Sequence, residues 1–446
     1  MAPTIKVIAV PRQALVIVLI MAACQRAAPA PTSSPISPTS SLTSVPAPLS
    51  PTPTATPALT PTAEPRTPLS LVLVNGTVID GTGTEPVHDA ILVIRDGRIA
   101  AVGLASDVTI PTDAQVIDLQ DATILPGFIN AHVHQSLSPT NLAAWAQAGV
   151  TTVRDLAAPI GLPDLDWDEW VQGITEHRDL PSPMMFVYRD ATRGQPHYAR
   201  LVAAGPIVTV PGGYPIPNWG PEIALTVNSP EDARRKVSAL LDAGADVVKI
   251  AIQTGTPQLS QEEVAAIAAT AHERGTIVTA HVGGAFNLEV AVAGGIDDAA
   301  HMAVTPLSDE LIAQMIADDV YIVPTLSVLE AYFRLGSSVE NLRRFVATGG
   351  KVALGDDYGN PGIELGMPVR EMELMQEAGM TPMQVIVAAT KHGAHVCNLE
   401  QELGTLEVGK IADVLVVDGD PLQDIHVMTN VRLVIRDGII IHRAGS

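Results

Sequence analysis

Cysteine is nearly missing from this chain: 446 residues contain two, Cys24 and Cys397, and they sit in stretches of unlike character. No disulfide between them is expected, so cysteine usage leaves the redox compartment open. Basic residues are also scarce, 26 Lys and Arg against 48 Asp and Glu, a formal charge of −22. Nucleic-acid binding needs a basic face to neutralise phosphates, so that class of partner is excluded. A long apolar run is lacking too. The one candidate, "ALVIVLIMAAC" at 14–24, is too short to cross a bilayer comfortably. What is present is a hydrophobic content of 47%, enough for a sizeable core.

The apolar run follows Lys6 and Arg12, the layout of an export signal. Its end, "MAAC", resembles a bacterial lipoprotein signal, with cleavage before Cys24 and lipid attached to the Cys24 sulfur. Met21 stands where leucine is usual in such signals. The expectation is a signal peptide over 1–23 and an exported, lipid-anchored protein on the extracytoplasmic side of a bacterial membrane. An uncleaved N-terminal anchor is the alternative. Residues 24–68 are almost all Pro, Ser, Thr and Ala, as in "SPTPTATPALTPTAEP". Such a segment cannot bury enough apolar surface to fold and reads as a disordered tether.

Folded sequence begins near Leu69. "LVLVNGTVIDG" and "AILVIRDGRIAAVG" alternate apolar and polar residues around Asn-Gly and Asp-Gly, which marks hairpin strands. A near copy of "VIRDGRI" (93–99) returns as "VIRDGII" (434–440). Residues 69–125 and 399–446 are therefore expected to build one small β-sandwich domain from both ends of the chain. Between them, short apolar runs alternate with helical stretches. "ILPGFINAHVH", "TTVRDL", "GPIVTV", "ADVVKIAI", "GTIVTAHV", "DDAAHM", "YIVPTL" and "KVALGDD" are the strand candidates. Helix starts are marked by Ser229 before Pro230 and by capping boxes at Ser260 and Thr381. Repeated strand–helix units over 126–398 predict an α/β fold, a (β/α)8 TIM-type barrel.

In such a barrel, chemistry sits at the C-terminal ends of the strands. His132 and His134 close the first run, and their i, i+2 spacing sends both side chains to one face. Lys249 lies inside the fourth run, His281 ends the fifth, His301 the sixth, and Asp356 and Asp357 end the eighth. Any one of them alone reads as a packed or rim residue. Together they point to one mouth. The other histidines have no such placement and are expected to be structural or exposed.

With these pieces in place, the sequence resembles the metal-dependent amidohydrolase superfamily. The matching segments are "PGFINAHVH", "GVTTVRDL", "GADVVKIAI", "GTIVTAHV", "AAHM", "ALGDD" and "GTLEVGKIADVLVVDGDPL". The similarity is to the branch of imidazolonepropionase-related enzymes and metal-dependent dipeptidases and carboxypeptidases with a lysine on strand four. It implies two divalent metals, zinc first and manganese or iron as alternatives. His132, His134 and Asp357 would hold one, His281 and His301 the other, and a CO2-carboxylated Lys249 would bridge them. Asp357 would move the proton during hydrolysis of an amide, peptide or cyclic amide C–N bond by metal-activated hydroxide. Strand eight reads "GDD", with Asp356 where the family usually has threonine, so the metal acid had to be chosen by register. Arg154, Tyr214 and Trp219 are expected to line the substrate site, Tyr214 where relatives often carry a histidine. Dipeptides or N-acyl amino acids suit an extracytoplasmic location. A phosphotriesterase or lactonase on the same centre, and a non-catalytic metal- or solute-binding lipoprotein, are the competing readings. The expected partner is a small-molecule substrate, with membrane contact only through the N-terminus, and a homo-oligomer is left open.

Overall fold

A computed structural model describes residues 70–157, 184–332 and 335–445. The signal segment, Cys24 and the tether lie outside the described residues. Among the described residues, no helix is long and apolar enough to cross a membrane.

The N-terminal strands are β1 (Leu71–Val78), β2 (Val87–Arg95), β3 (Arg98–Leu104), β4 (Gln115–Asp118) and β5 (Thr123–Pro126). The central ones are β6 (Phe128–Val133), β7 (Val150–Asp155), β8 (Arg200–Ala203), β9 (Ile207–Thr209), β10 (Ala224–Thr226), β11 (Val248–Ile252), β12 (Val278–Val282), β13 (Asp298–Ala300) and β14 (Tyr321–Val323). The chain closes with β15 (Val414–Val417), β16 (Val431–Arg436) and β17 (Ile439–Arg443).

The first and last strands of the described residues share one sheet. Strands β17-β16-β15-β5-β1-β2-β3 form one path, with β4 also paired to β1, an eight-stranded sheet. Period-two alternation sets its packing. Leu71 and Leu73, Leu92 and Ile94, Val414 and Val416 share one apolar cluster. Leu415 and Val417, the alternate residues of β15, join the large central core instead. Strand β15 is thus apolar throughout because it is buried on both faces. The repeated Asp-Gly turns have a further consequence. Asp96 and Gly97 (φ +53° and +76°) match Asp437 and Gly438 (φ +51° and +76°), and all four need the left-handed region. The two turns touch: a Cβ on Gly438 would lie 2.6 Å from the Gly97 Cα.

The central strands are parallel and mostly separated by helices, as the pattern predicts, but among the described residues their ladders do not close into one eight-stranded barrel. They form a three-stranded sheet, β6-β7-β8, and a six-stranded sheet, β10-β9-β11-β12-β13-β14. Two local causes are visible. The third strand starts earlier than expected, at Arg200, and is split by Ala204, Gly205 (φ +78°) and Pro206. Proline offers no N–H to a ladder, and a positive φ turns the chain out of extended geometry. The eighth run forms no strand. Residues 351–358 are held by isolated parallel bridges, Ile322 to Val352 on one side and Val133 to Tyr358 on the other. The anticipated caps are present: Ser229 accepts from Asp232 N, and Ser260 and Thr381 head complete capping boxes.

Candidate active site

His132 lies in β6 and His134 directly follows it, both buried. The returning segment docks on the same strand: Asp357 N donates to His132 O (2.9 Å) and His134 N to Tyr358 O (2.7 Å). This docking decides between the two neighbouring acids. Asp357, turned by a φ of +62°, places Oδ1 3.3 Å from His132 Nε2 and 3.2 Å from His134 Nε2. Asp356 points elsewhere, accepting from Asn130 Nδ2 (2.8 Å) and Tyr358 N (3.0 Å). His301, at φ +77° just past β13, brings Nδ1 to 3.9 Å from Asp357 Oδ2.

The rings form a continuous cluster. Centroids of His132 and His134 are 5.2 Å apart, His132 and His301 4.8 Å, and His281 and His301 4.7 Å. Lys249 from β11 and His281 from β12 complete one wall of the same cleft. Thus all six residues expected to hold metal, His132, His134, Lys249, His281, His301 and Asp357, converge there. Tyr214 and Trp219 line it as anticipated, Tyr214 stacked on His281 (4.3 Å, 18°) and Trp219 edge-on to His134 (5.6 Å). The remaining wall is apolar, with Ile207, Val282, Met302, Val328 and Leu329 around a cleft of about 790 Å³, its open mouth included.

Arg154 is a correction. It does not line the cleft but is fully buried in β7, its guanidinium bound to Asp298 Oδ2 and Oδ1 (2.8 and 3.0 Å) and to the carbonyls of Ala131 and Val396. Its strand position sends it inward to an acid 144 residues away, which no local pattern announces. Arg154→Met should therefore lower stability, by about 3–5 kcal/mol, since it strands a buried carboxylate. The urea midpoint measures this, and an unchanged midpoint would show that the pair is dispensable.

The sequence reading also missed Gln253, whose amide oxygen lies 3.1 Å from His281 Nε2, and Thr325, whose hydroxyl lies 2.7 Å from His301 Nδ1. Each sits just past an apolar run, a position that carries no signal of its partner.

Electrostatics favour the neutral form of three of the four histidines in the cluster. Burial, aided by the Lys249 charge among others, holds His132, His281 and His301 well below the ordinary imidazole value. Burial acts in the same direction on His134. There the neighbouring Asp357 carboxylate, with Asp155 and the Ala157 carbonyl, outweighs it and raises the pKa. Lys249 is drawn down to about 7, chiefly by burial and further by Arg154, against the pull of Asp298 and Asp357.

The donor set fits a divalent ion. Both ring nitrogens of His132, Lys249 Nζ and Asp357 Oδ1 are buried without a hydrogen bond. Leaving so many polar atoms unsatisfied is costly unless a cation takes their lone pairs. Ligand atoms of His132, His134 and Asp357 lie within 4.8 Å of one another, close enough to share an ion. Imidazole and carboxylate are the ligands that zinc and its neighbours accept.

Similarity to known proteins agrees with this geometry. The chain is 26% identical to ochratoxinase of Aspergillus niger over 408 residues, spanning 80% of this chain and 82% of that one. It is 26% identical to imidazolonepropionase of Symbiobacterium thermophilum, spanning 73% and 83%. Among solved structures, a Xaa-Pro dipeptidase with bound methionine superposes with a TM-score of 0.70 at 26% identity, covering 83% of this chain and 99% of that one. These neighbours imply a TIM-barrel-type fold. Residues 123–441 match the Amidohydrolase family, and the chain belongs to it, as a metal-dependent hydrolase acting on carbon–nitrogen bonds.

Proposed function

We propose that the protein cleaves the amide or peptide bond of small molecules with an apolar portion, dipeptides and N-acyl amino acids foremost. The observation that carries the reading is Lys249: an amine buried without a hydrogen bond, in one cleft with His132, His134, His281, His301 and Asp357. A structural lysine would have a partner. In its neutral form, which burial favours, the amine can add CO2; an N–C bond forms, a proton leaves, and the carbamate becomes an oxygen ligand.

In this reading His132, His134 and Asp357 would hold one ion and His281 and His301 a second, with carboxylated Lys249 as a shared ligand and zinc the preferred metal. When bound, such ions lower the pKa of water and polarise a carbonyl. The chain's own residues do the rest. Asp357, beside both His132 and His134, accepts the attacking water's proton and delivers it to the departing nitrogen. Met302, Val328 and Leu329 exclude bulk water and receive the apolar group, and Tyr214 and Trp219 line the same cleft.

The test is a panel of dipeptides, N-acyl amino acids, lactones and phosphotriesters offered to the metal-loaded protein. Amino acid release from substrates with apolar groups, abolished by a chelator, is the expected result. Turnover of lactones or phosphotriesters alone would refute the reading in favour of its rival on the same centre.

A further inference from the structure

Gln253 directly follows β11 and is buried against the cluster. Its amide oxygen lies 3.1 Å from His281 Nε2. An amide oxygen can only accept, so with Oε1 facing the ring this contact requires the His281 proton on Nε2 and leaves the lone pair on Nδ1. The contact needs room that residue 283 supplies. A Cβ on Gly283 would lie 2.4 Å from Gln253 Oε1 and 2.8 Å from its Nε2. With Tyr214 stacked on the ring face and Gln253 bonded to its edge, His281 is constrained in both tilt and rotation.

The neighbouring histidine is wired the other way. His134 Nδ1 donates to Ala157 O at 2.9 Å, which leaves its Nε2 as the lone-pair nitrogen facing Asp357.

We propose that Gln253 is the positioning residue that fixes the tautomer and orientation of His281, and that position 283 is glycine to admit the Gln253 amide. This rests on the reading of His281 as a metal ligand. Without the amide, Nε2–H is buried unsatisfied, and the alternative tautomer, with its proton on Nδ1, relieves that cost. That tautomer has no lone pair to offer from Nδ1. Outer partners of this kind typically contribute about 10–100-fold to metal affinity.

The experiment has two readouts, neither of them turnover. The first is zinc affinity of the metal-free protein, measured by competition with a chromogenic chelator for wild type, Gln253→Leu, Gln253→Glu, Gly283→Ala and His281→Ala. One binding step should weaken by about 10–100-fold in Gln253→Leu and in Gly283→Ala, and persist in Gln253→Glu, whose carboxylate still accepts. The second is the ¹⁵N spectrum of the His281 imidazole, which should show the proton on Nε2 in wild type and its loss from that position in Gln253→Leu. Should Gln253→Leu fail to fold, Gly283→Ala decides alone. Unchanged affinity in these variants, with one step lost in His281→Ala, overturns the proposal while sparing the metal-site reading. Unchanged affinity in His281→Ala as well overturns both.

Discussion

Lys249→Ala should fold, bind less than the roughly two metals per chain expected of a binuclear centre, and lose turnover by at least about 10²–10³-fold. That factor is the scale for removing one group that stabilises charge in the transition state. The expectation separates two accounts of a buried lysine. Lys249 Nζ has no hydrogen-bond partner and its pKa is drawn down to about 7, first by burial. As a structural amine it would be a net burden, and deleting it would raise stability with no loss of function. As a carboxylated bridge it is a ligand, and its loss empties the centre. A short carboxylic acid in the medium should partly restore both metal and rate in Lys249→Ala, because it supplies the missing oxygens. Elemental analysis alongside kcat reads both quantities, and a full metal complement with normal kcat in the variant would show the lysine to be structural.

The second large effect concerns the neighbouring acids. Asp357→Asn keeps the side chain's size and one oxygen but removes the basic site facing His132 and His134. A loss of roughly 10²–10⁴-fold in kcat follows from general acid–base catalysis alone, and more where metal is also lost. Asp356→Asn should cost far less. Asp356 uses one oxygen, Oδ1, to accept from Asn130 and Tyr358, and an asparagine carbonyl can replace that oxygen. Its carboxyl is already pushed up to about 7, chiefly by burial, so only part of a charge is given up at neutral pH. Measuring kcat and metal content on the same samples of both variants decides the matter. A dead Asp356→Asn beside a nearly normal Asp357→Asn would exchange their roles.

Much of this site could be read from the chain because its chemistry is local in strand geometry. His132 and His134 share a face through i, i+2 spacing, and Lys249 and His281 stand out within apolar runs that become β11 and β12. Along "GDD" the family resemblance favours Asp357, and Asp357 is the acid that faces His132 and His134. What escaped was set by contacts between distant segments. Arg154 looked like a mouth residue until Asp298 appeared beside it in the core. Gln253 and Thr325 carry no sign of the histidines they meet, since those partners arrive from other strands. The same holds for the ladders. Gly205-Pro206 reads as the start of a strand, whereas it interrupts one that begins at Arg200, and the eighth run is held by isolated bridges and scattered backbone hydrogen bonds in place of a regular ladder. Apolar periodicity reports burial, and burial does not require a hydrogen-bonded strand.

The central claim is that hydrolysis depends on metal held by His132, His134, Lys249, His281, His301 and Asp357. It is tested most directly by stripping the protein with a chelator and titrating zinc back while following hydrolysis of an apolar N-acyl amino acid. The account predicts no turnover at zero metal and a rise that saturates near two equivalents per chain. Full turnover by the metal-free protein would contradict it.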